Sequence, residues 1–200
     1  MKALLFSTLI MMGGAGFAQE FQFAPSSSNL EWVGKKVVGG SHEGTLAIKS
    51  GSIHFTKQQP TKAEVVVDMK SLLNTDLKDA EWNQKLVGHL HSDDFFATAI
   101  HPVAKIVVTS FKGQGKGQYK MNGLLTIKGV TKPIAFNGQM IKKSGAITSI
   151  NAQLQFDRTL YNVKYGSGKF FSNLGDKMIS DMVAVKVNLK LKKPIKMASH

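Results

Sequence analysis

From residue 101 onward the chain alternates apolar and polar side chains in run after run, with almost no helical periodicity. In the run 146–156, Ala146, Thr148, Ile150, Ala152, Leu154 and Phe156 are small or apolar. The interleaved Ser149, Asn151, Gln153 and Gln155 are polar, and Ile147 is the exception. A period of two marks a strand with one dry and one wet face. Several such strands leave edges that must be protected, by closing the sheet on itself or stacking it. A closed antiparallel sheet has an inside, and what fills it becomes the functional question.

Strand-like runs also cover 30–38, 42–49, 52–56 and 62–68, with Gly39-Gly40 and Ser50-Gly51 as breaks. After Pro102, Ala104, Ile106, Val108 and Ser110 share one face of the next run. Tyr119, Met121, Leu125 and Ile127 share a face of the following one, as do Ile134, Phe136 and Met140. Val183, Val185, Val187, Leu189 and Leu191 do so at the end. Residues 113–117 are glycine-rich, but without phosphate-loop spacing or a following helix they predict a hairpin. The count is about eight strands, the number of a small barrel or sandwich. Residues 72–102 break the pattern. Within them, 79–87 predict one or two helical turns, capped by Asp79 and ended by Gly88. A connection this long inside a compact domain is usually functional or packs as a lid.

Residues 1–18 have the form of a secretory leader: Met1-Lys2, an apolar stretch over 3–12, then Gly16-Phe17-Ala18 at the cleavage point. The apolar stretch is too short to remain across a bilayer. The expected mature chain, 19–200, is a single domain, periplasmic or secreted. The sequence has no Cys, so the fold does not rely on disulfides, and thiol catalysis and Cys-ligated metals are excluded. The formal charge is +13, and of the basic residues only Arg158 is an arginine. Scattered lysines first suggest wet strand faces. Export and the scarcity of arginine count against nucleic acid. An anionic membrane surface remains a candidate partner, with Lys186, Lys190 and Lys192 sharing the wet face of the last strand.

His89-Leu90-His91 is the most chemical-looking spot. On an extended segment two imidazoles two residues apart would point the same way, with Asp93, Asp94 and His101 nearby. A zinc site needs three or four converging ligands, and none beyond the pair is obvious, so no metal is expected. Ser41-His42-Glu43 has hydrolase residue types, but neighbours on a strand alternate faces and no nucleophile elbow exists. Asp157-Arg158 predicts an ion pair at a strand end. Phe95-Phe96 and Phe170-Phe171 either plug a barrel end or line the mouth of an apolar cavity. Met121 and Met140 are flexible filler that also suits adaptable apolar ligands.

Two stretches resemble signatures of the YceI-like family, exported lipocalin-like proteins that bind polyisoprenoid lipids. The first is His89-Leu90-His91-Ser92-Asp93-Asp94-Phe95-Phe96 followed by His101-Pro102. The second is Asn122-Gly123-Leu124-Leu125-Thr126-Ile127-Lys128-Gly129-Val130-Thr131-Lys132-Pro133. Asp68-Met69-Lys70-Ser71-Leu72 and Asn74-Thr75 match the segment that leads into the first. The resemblance covers roughly 28–192, essentially the whole mature chain. Ala97 stands where many members have Asp, and the opening, 32–44, is a variant one. It looks like a subgroup that also has Asp157-Arg158, Tyr165-Gly166-Ser167-Gly168, Phe170-Phe171 and Asn173-Leu174-Gly175-Asp176.

The resemblance implies an all-β fold: an eight-stranded antiparallel lipocalin-like barrel, with the irregular insertion around 72–102, enclosing an apolar tunnel. It implies a carrier of polyisoprenoid lipids or isoprenoid quinones, with no catalytic residues and no cofactor beyond the lipid itself. The residues expected to line the cavity are Trp32, Phe55, Phe95, Phe96, Met121, Phe136, Met140, Ile150, Leu154, Phe156, Val185 and Val187. A homodimer is a further partner expectation. Two alternatives stay open: a structural or interaction barrel filled by its own side chains, and a metal protein built on His89 and His91.

Overall fold

In the computed structural model, which describes residues 18–196, nine strands form one antiparallel sheet. The expected leader lies outside the described residues except for Ala18. The strands are β1 (Gln19–Gln22), β2 (Asn29–Lys36), β3 (Ser41–Thr56), β4 (Gln59–Asn74), β5 (Val103–Gly115), β6 (Gln118–Ile127), β7 (Val130–Lys143), β8 (Ala146–Asp157) and β9 (Ile179–Lys196). One helix, α1 (Ala80–His91), lies between β4 and β5. The order β3-β2-β9-β8-β7-β6-β5-β4 closes through pairing of β3 with β4, giving an eight-stranded barrel. β1 is an extra strand. It pairs with the lower half of β3, Ser52 to Phe55, where β2 pairs with the upper half, Ser41 to Leu46. A 3-10 turn at Pro25–Ser27 separates β1 from β2, so the two act as one interrupted barrel strand.

Four hairpins share one turn geometry. Lys57-Gln58, Lys116-Gly117, Lys128-Gly129 and Ser144-Gly145 each place two residues at positive φ between paired strands. Two successive left-handed residues match the right-handed twist of the flanking strands, which is why this turn joins hairpins. The glycine-rich 113–117 stretch is therefore the β5–β6 hairpin. Three of the four turns put glycine second; Lys57-Gln58 does not.

The strands are longer than the alternation suggests. Residues 42–49 and 52–56, expected as two strands, are one strand, β3, running through Gly51. Gly51 is not a turn. A Cβ there would meet the Glu64 carbonyl oxygen at 2.6 Å and the Phe23 ring at 2.9 Å. The phase of the alternation also slips. On β8 the register shifts between Ile147 and Ser149; Ile147 is buried, and from Ile150 onward the even-numbered residues point inward. Ala146 and Thr148 thus do not share the face of Ile150. On β5 a shift between Val108 and Ser110 leaves Ser110 exposed and turns Phe111 inward. Bulges of this kind insert a residue and reverse the facing of all that follows.

α1 runs four residues past its expected end at Val87. Asp79 caps it, its carboxylate accepting from the Trp82 N–H, but the helix passes through Gly88 and ends at Ser92. Glycine in a helix costs about 0.5–1 kcal/mol against alanine. Burial of Leu90 in the core and packing of Leu86 against it outweigh that cost.

Candidate functional site: an apolar cavity with one rim

Alternate side chains of every barrel strand point inward and enclose a cavity of about 530 Å³. Trp32, Leu46, Val65, Ile106, Leu125, Phe136, Leu154 and Val185 are one example from each. That volume lies within the ~300–1,000 Å³ usual for small-molecule sites. On β8 and β9 many outward residues are polar, as with Asn151, Gln153, Gln155 and Lys186. α1 is too short and polar to cross a membrane, and no helix among the described residues can do so.

Of the twelve residues expected to line the cavity, ten do: Trp32, Phe95, Phe96, Met121, Phe136, Ile150, Leu154, Phe156, Val185 and Val187. Phe55 and Met140 do not. Both are buried in the core near the lower ends of β3 and β7. Each has the right inward phase but lies too far along its strand. Periodicity reports the face of a residue and not its height along the barrel axis. Phe23, fully buried, lines the cavity together with Ile53, two residues before Phe55 on β3. Phe23 was not foreseen, because the chain before residue 28 shows no alternation long enough to read.

The other end is the rim. It is built from the β2–β3 tip (Lys35, Lys36, Gly40, Ser41, His42), from α1 and the loop after it (Leu86, His89, Phe95, Phe96), and from the β8–β9 crossover (Arg158, Tyr165, Ile179, Ser180). An aromatic cluster joins the last two. His89 meets Phe95 edge-on at 4.9 Å and Tyr165 at 4.6 Å, and Phe95 lies 5.4 Å from Tyr165. Phe170 and Phe171 neither plug the barrel nor line the cavity; both are exposed at the outer side of the rim.

The expected pairing of Asp157 with Arg158 is not made. The Arg158 guanidinium is buried and bonds backbone carbonyls: Nε donates to Ser180 (3.0 Å), Nη1 to Val163 and Tyr165 (both 2.8 Å), and Nη2 to Ile179 (3.2 Å). Asp181 stands 3.8 Å away. One planar fork thereby ties the crossover to the start of β9, and burial pulls its pKa down. Asp157 instead accepts from Lys169 Nζ (2.7 Å) and from the Thr159 hydroxyl and N–H. Burial pushes the Asp157 carboxyl up, and these partners together bring it below the ordinary carboxylate range.

His89 and His91 sit in the last turn of α1, not on an extended segment. Two residues apart on a helix, they point to opposite sides. His89 Nε2 is 3.2 Å from Asp94 Oδ2, and His91 Nδ1 is 2.8 Å from Thr98 Oγ1. Among the described residues no three His, Cys, Asp or Glu side chains gather as a metal site would require. The Ser41-His42-Glu43 triplet fastens the rim. His42 Nδ1 lies 2.8 Å from Asp76 Oδ2, and the Glu43 N–H donates to Asp76 Oδ1 at 2.9 Å. Burial pushes the Asp76 carboxyl up, but the Glu43 N–H, His42 and Asn74 outweigh it and hold it low.

A closed antiparallel barrel around one apolar cavity, opening at a rim of loops, is the architecture of a small-molecule binding barrel. The model of the YceI-like domain matches residues 21–191, and the chain belongs to that family. A UPF0312 protein of Photorhabdus laumondii is 36% identical over 98 residues, 49% of this chain and 48% of that protein. A UPF0312 protein of Azotobacter vinelandii is 32% identical over 98 residues, again 49% and 48%. The chain spans about half the length of the curated relatives it matches. Among solved structures, BcnA of Burkholderia cenocepacia superposes with a TM-score of 0.64 at 22% identity, covering 84% of this chain and 98% of that one. A polyisoprenoid-binding domain from Saccharophagus degradans, implicated in plant cell wall breakdown, gives 0.61 at 22% identity, covering 87% and 98%. At that identity the likeness is one of fold.

Proposed function

We propose that this protein is an exported carrier that holds a polyisoprenoid lipid or isoprenoid quinone in its barrel. The observation that carries this reading is the cavity: every barrel strand from β2 to β9 contributes apolar side chains to it, and among the described lining residues none is a carboxylate. A slender apolar chain needs no polar machinery. Each buried CH₂-sized group gains about 0.8 kcal/mol. Apart from Lys105 on β5, the charged lining groups lie on the rim, where a head group would sit. Membership of the YceI-like family and the fold shared with a polyisoprenoid-binding domain support the same ligand class. The reading assigns no catalytic step and no metal. Mass spectrometry of an organic extract of the natively purified protein is the test. Isoprenoid species present in proportion to protein are expected. Extracts free of them, from a protein that also takes up no added polyprenol or quinone, would sink the proposal.

A further inference from the structure

Exposed apolar side chains are common on any protein and individually mean little. Here they are confined to one end. Among the described residues the large ones lie on the rim or the upper parts of strands and insertion, as with Val37, Val38, Leu160, Phe170 and Phe171. The closed-end turns at Lys57, Lys116 and Ser144 are polar. Val38 is 59% exposed and Phe171 48%. The β2–β3 tip and the crossover lie side by side: the Val37 N–H donates to the Met178 carbonyl at 2.9 Å, and that of Ile179 to Gly166 at 2.8 Å. The N–H groups of Phe170 and Phe171 both donate to the Ser167 carbonyl at 3.1 Å, which fixes the backbone of the pair, and both rings are about half exposed. Exposed apolar side chains gathered on neighbouring segments at one end of the molecule mark an interaction surface.

Its charges choose the partner. Residues 35–40 and 158–178 hold Lys35, Lys36, Lys164, Lys169 and Lys177 against a single carboxylate, Asp176. Lys169 is taken up by Asp157 and Asp181. Lys164 Nζ sits 4.8 Å above the Phe170 ring. Lys35, Lys36, Arg158 and Tyr165 belong both to these segments and to the cavity lining, so the patch runs into the mouth. The opposite lobe, with Asp79, Glu81, Asp93 and Asp94 around α1, is acidic.

We propose that the Val37-Val38 and Phe170-Phe171 lobe docks on an anionic lipid bilayer and sets the cavity mouth against it. Aromatic and aliphatic tips enter the interface, and flanking lysines meet lipid phosphates, an attraction that salt screens. This rests on the carrier reading, since docking matters for a cavity that exchanges its contents with a membrane.

The test is flotation with vesicles of phosphatidylcholine and of equimolar phosphatidylcholine and phosphatidylglycerol. It compares wild type, Phe170→Ser/Phe171→Ser, and a closed-end control, Lys192→Glu/Lys193→Glu. Phe170 and Phe171 do not line the cavity, so the melting temperature and extracted lipid of the rim variant should equal the wild type's. Expected is binding to the anionic vesicles that falls with salt, drops at least about tenfold in the rim variant and survives in the control. Equal flotation of wild type and rim variant, or a loss in the control alone, overturns the proposal. So does a wild type that never floats but self-associates through the patch. Extracted isoprenoid from a protein that does not float defeats docking alone; rim-dependent flotation with no lipid in any preparation upholds docking and defeats the carrier reading.

Discussion

Asp76 ties the start of β3 to the end of β4 at the rim, and its low pKa gives the joint a pH signature. A carboxyl whose folded pKa lies below its unfolded value adds stability above the unfolded value and loses it as pH falls through the folded one. Its ordinary value is about 3.8. Asp76→Asn should therefore melt below wild type at neutral pH, by an offset that holds down to about pH 4 and shrinks below it. Thermal unfolding across that range checks this; an offset that grows in acid would refute it. Arg158 makes a second prediction. A lysine supplies one ammonium where the guanidinium reaches four carbonyls. Arg158→Lys should cost about 2–3 kcal/mol in denaturant unfolding with an unchanged slope. The presence of a lone arginine was legible in the sequence. Its partners were not, because three of them come from residues 165–180 and are backbone atoms, which carry no residue signature.

At the scale of elements, the hairpins and the helix separate two kinds of signal. Lys116-Gly117, Lys128-Gly129 and Ser144-Gly145 announce their turns through glycine; Lys57-Gln58 does not, yet adopts the same geometry with both residues at positive φ. A left-handed non-glycine residue costs about 1–2 kcal/mol. Gln58→Gly should thus raise the melting temperature, for a gain of about 1 kcal/mol in denaturant unfolding, since the strain relieved exceeds the added freedom of the unfolded chain. No gain would mean that the φ of Gln58 carries no strain. α1 teaches the converse. Asp79 is a local cap and was readable; the passage through Gly88 depends on Leu90 entering the barrel core, a contact with strands distant in sequence. That passage moved His89 and His91 from one shared face to two opposed ones.

For the whole molecule, the decisive matter is whether the barrel holds space or side chains. Leu154 faces the cavity from β8. In a filled core, Leu154→Trp would overpack at a cost of about 1–3 kcal/mol. In a barrel with about 530 Å³ to spare, the ring should be absorbed with near-normal stability, at the expense of bound lipid. Melting temperature and extracted lipid, measured together in both proteins, separate the two outcomes. Export is a further whole-chain prediction: N-terminal sequencing of the protein from the periplasmic or secreted fraction should begin at Gln19, and a retained Met1 there would contradict it.

Alternation alone determined that the chain forms antiparallel strands with one dry face, because the pleat repeats every two residues whatever the strand pairs with. The same pattern placed eight cavity residues, from Trp32 on β2 to Val187 on β9, on the inner surface; Phe95 and Phe96 lie in the loop after α1, outside any alternation. It did not reveal where each strand slips. The shifts at Ile147 and Val108 arise from closing eight strands into a ring, which bends each strand by an amount set by its neighbours. Nor did it separate Phe55 and Met140, low in the barrel, from Phe136 and Leu154, beside the void. Height along the axis follows from the register between strands, and only the closed tertiary structure brings those strands together.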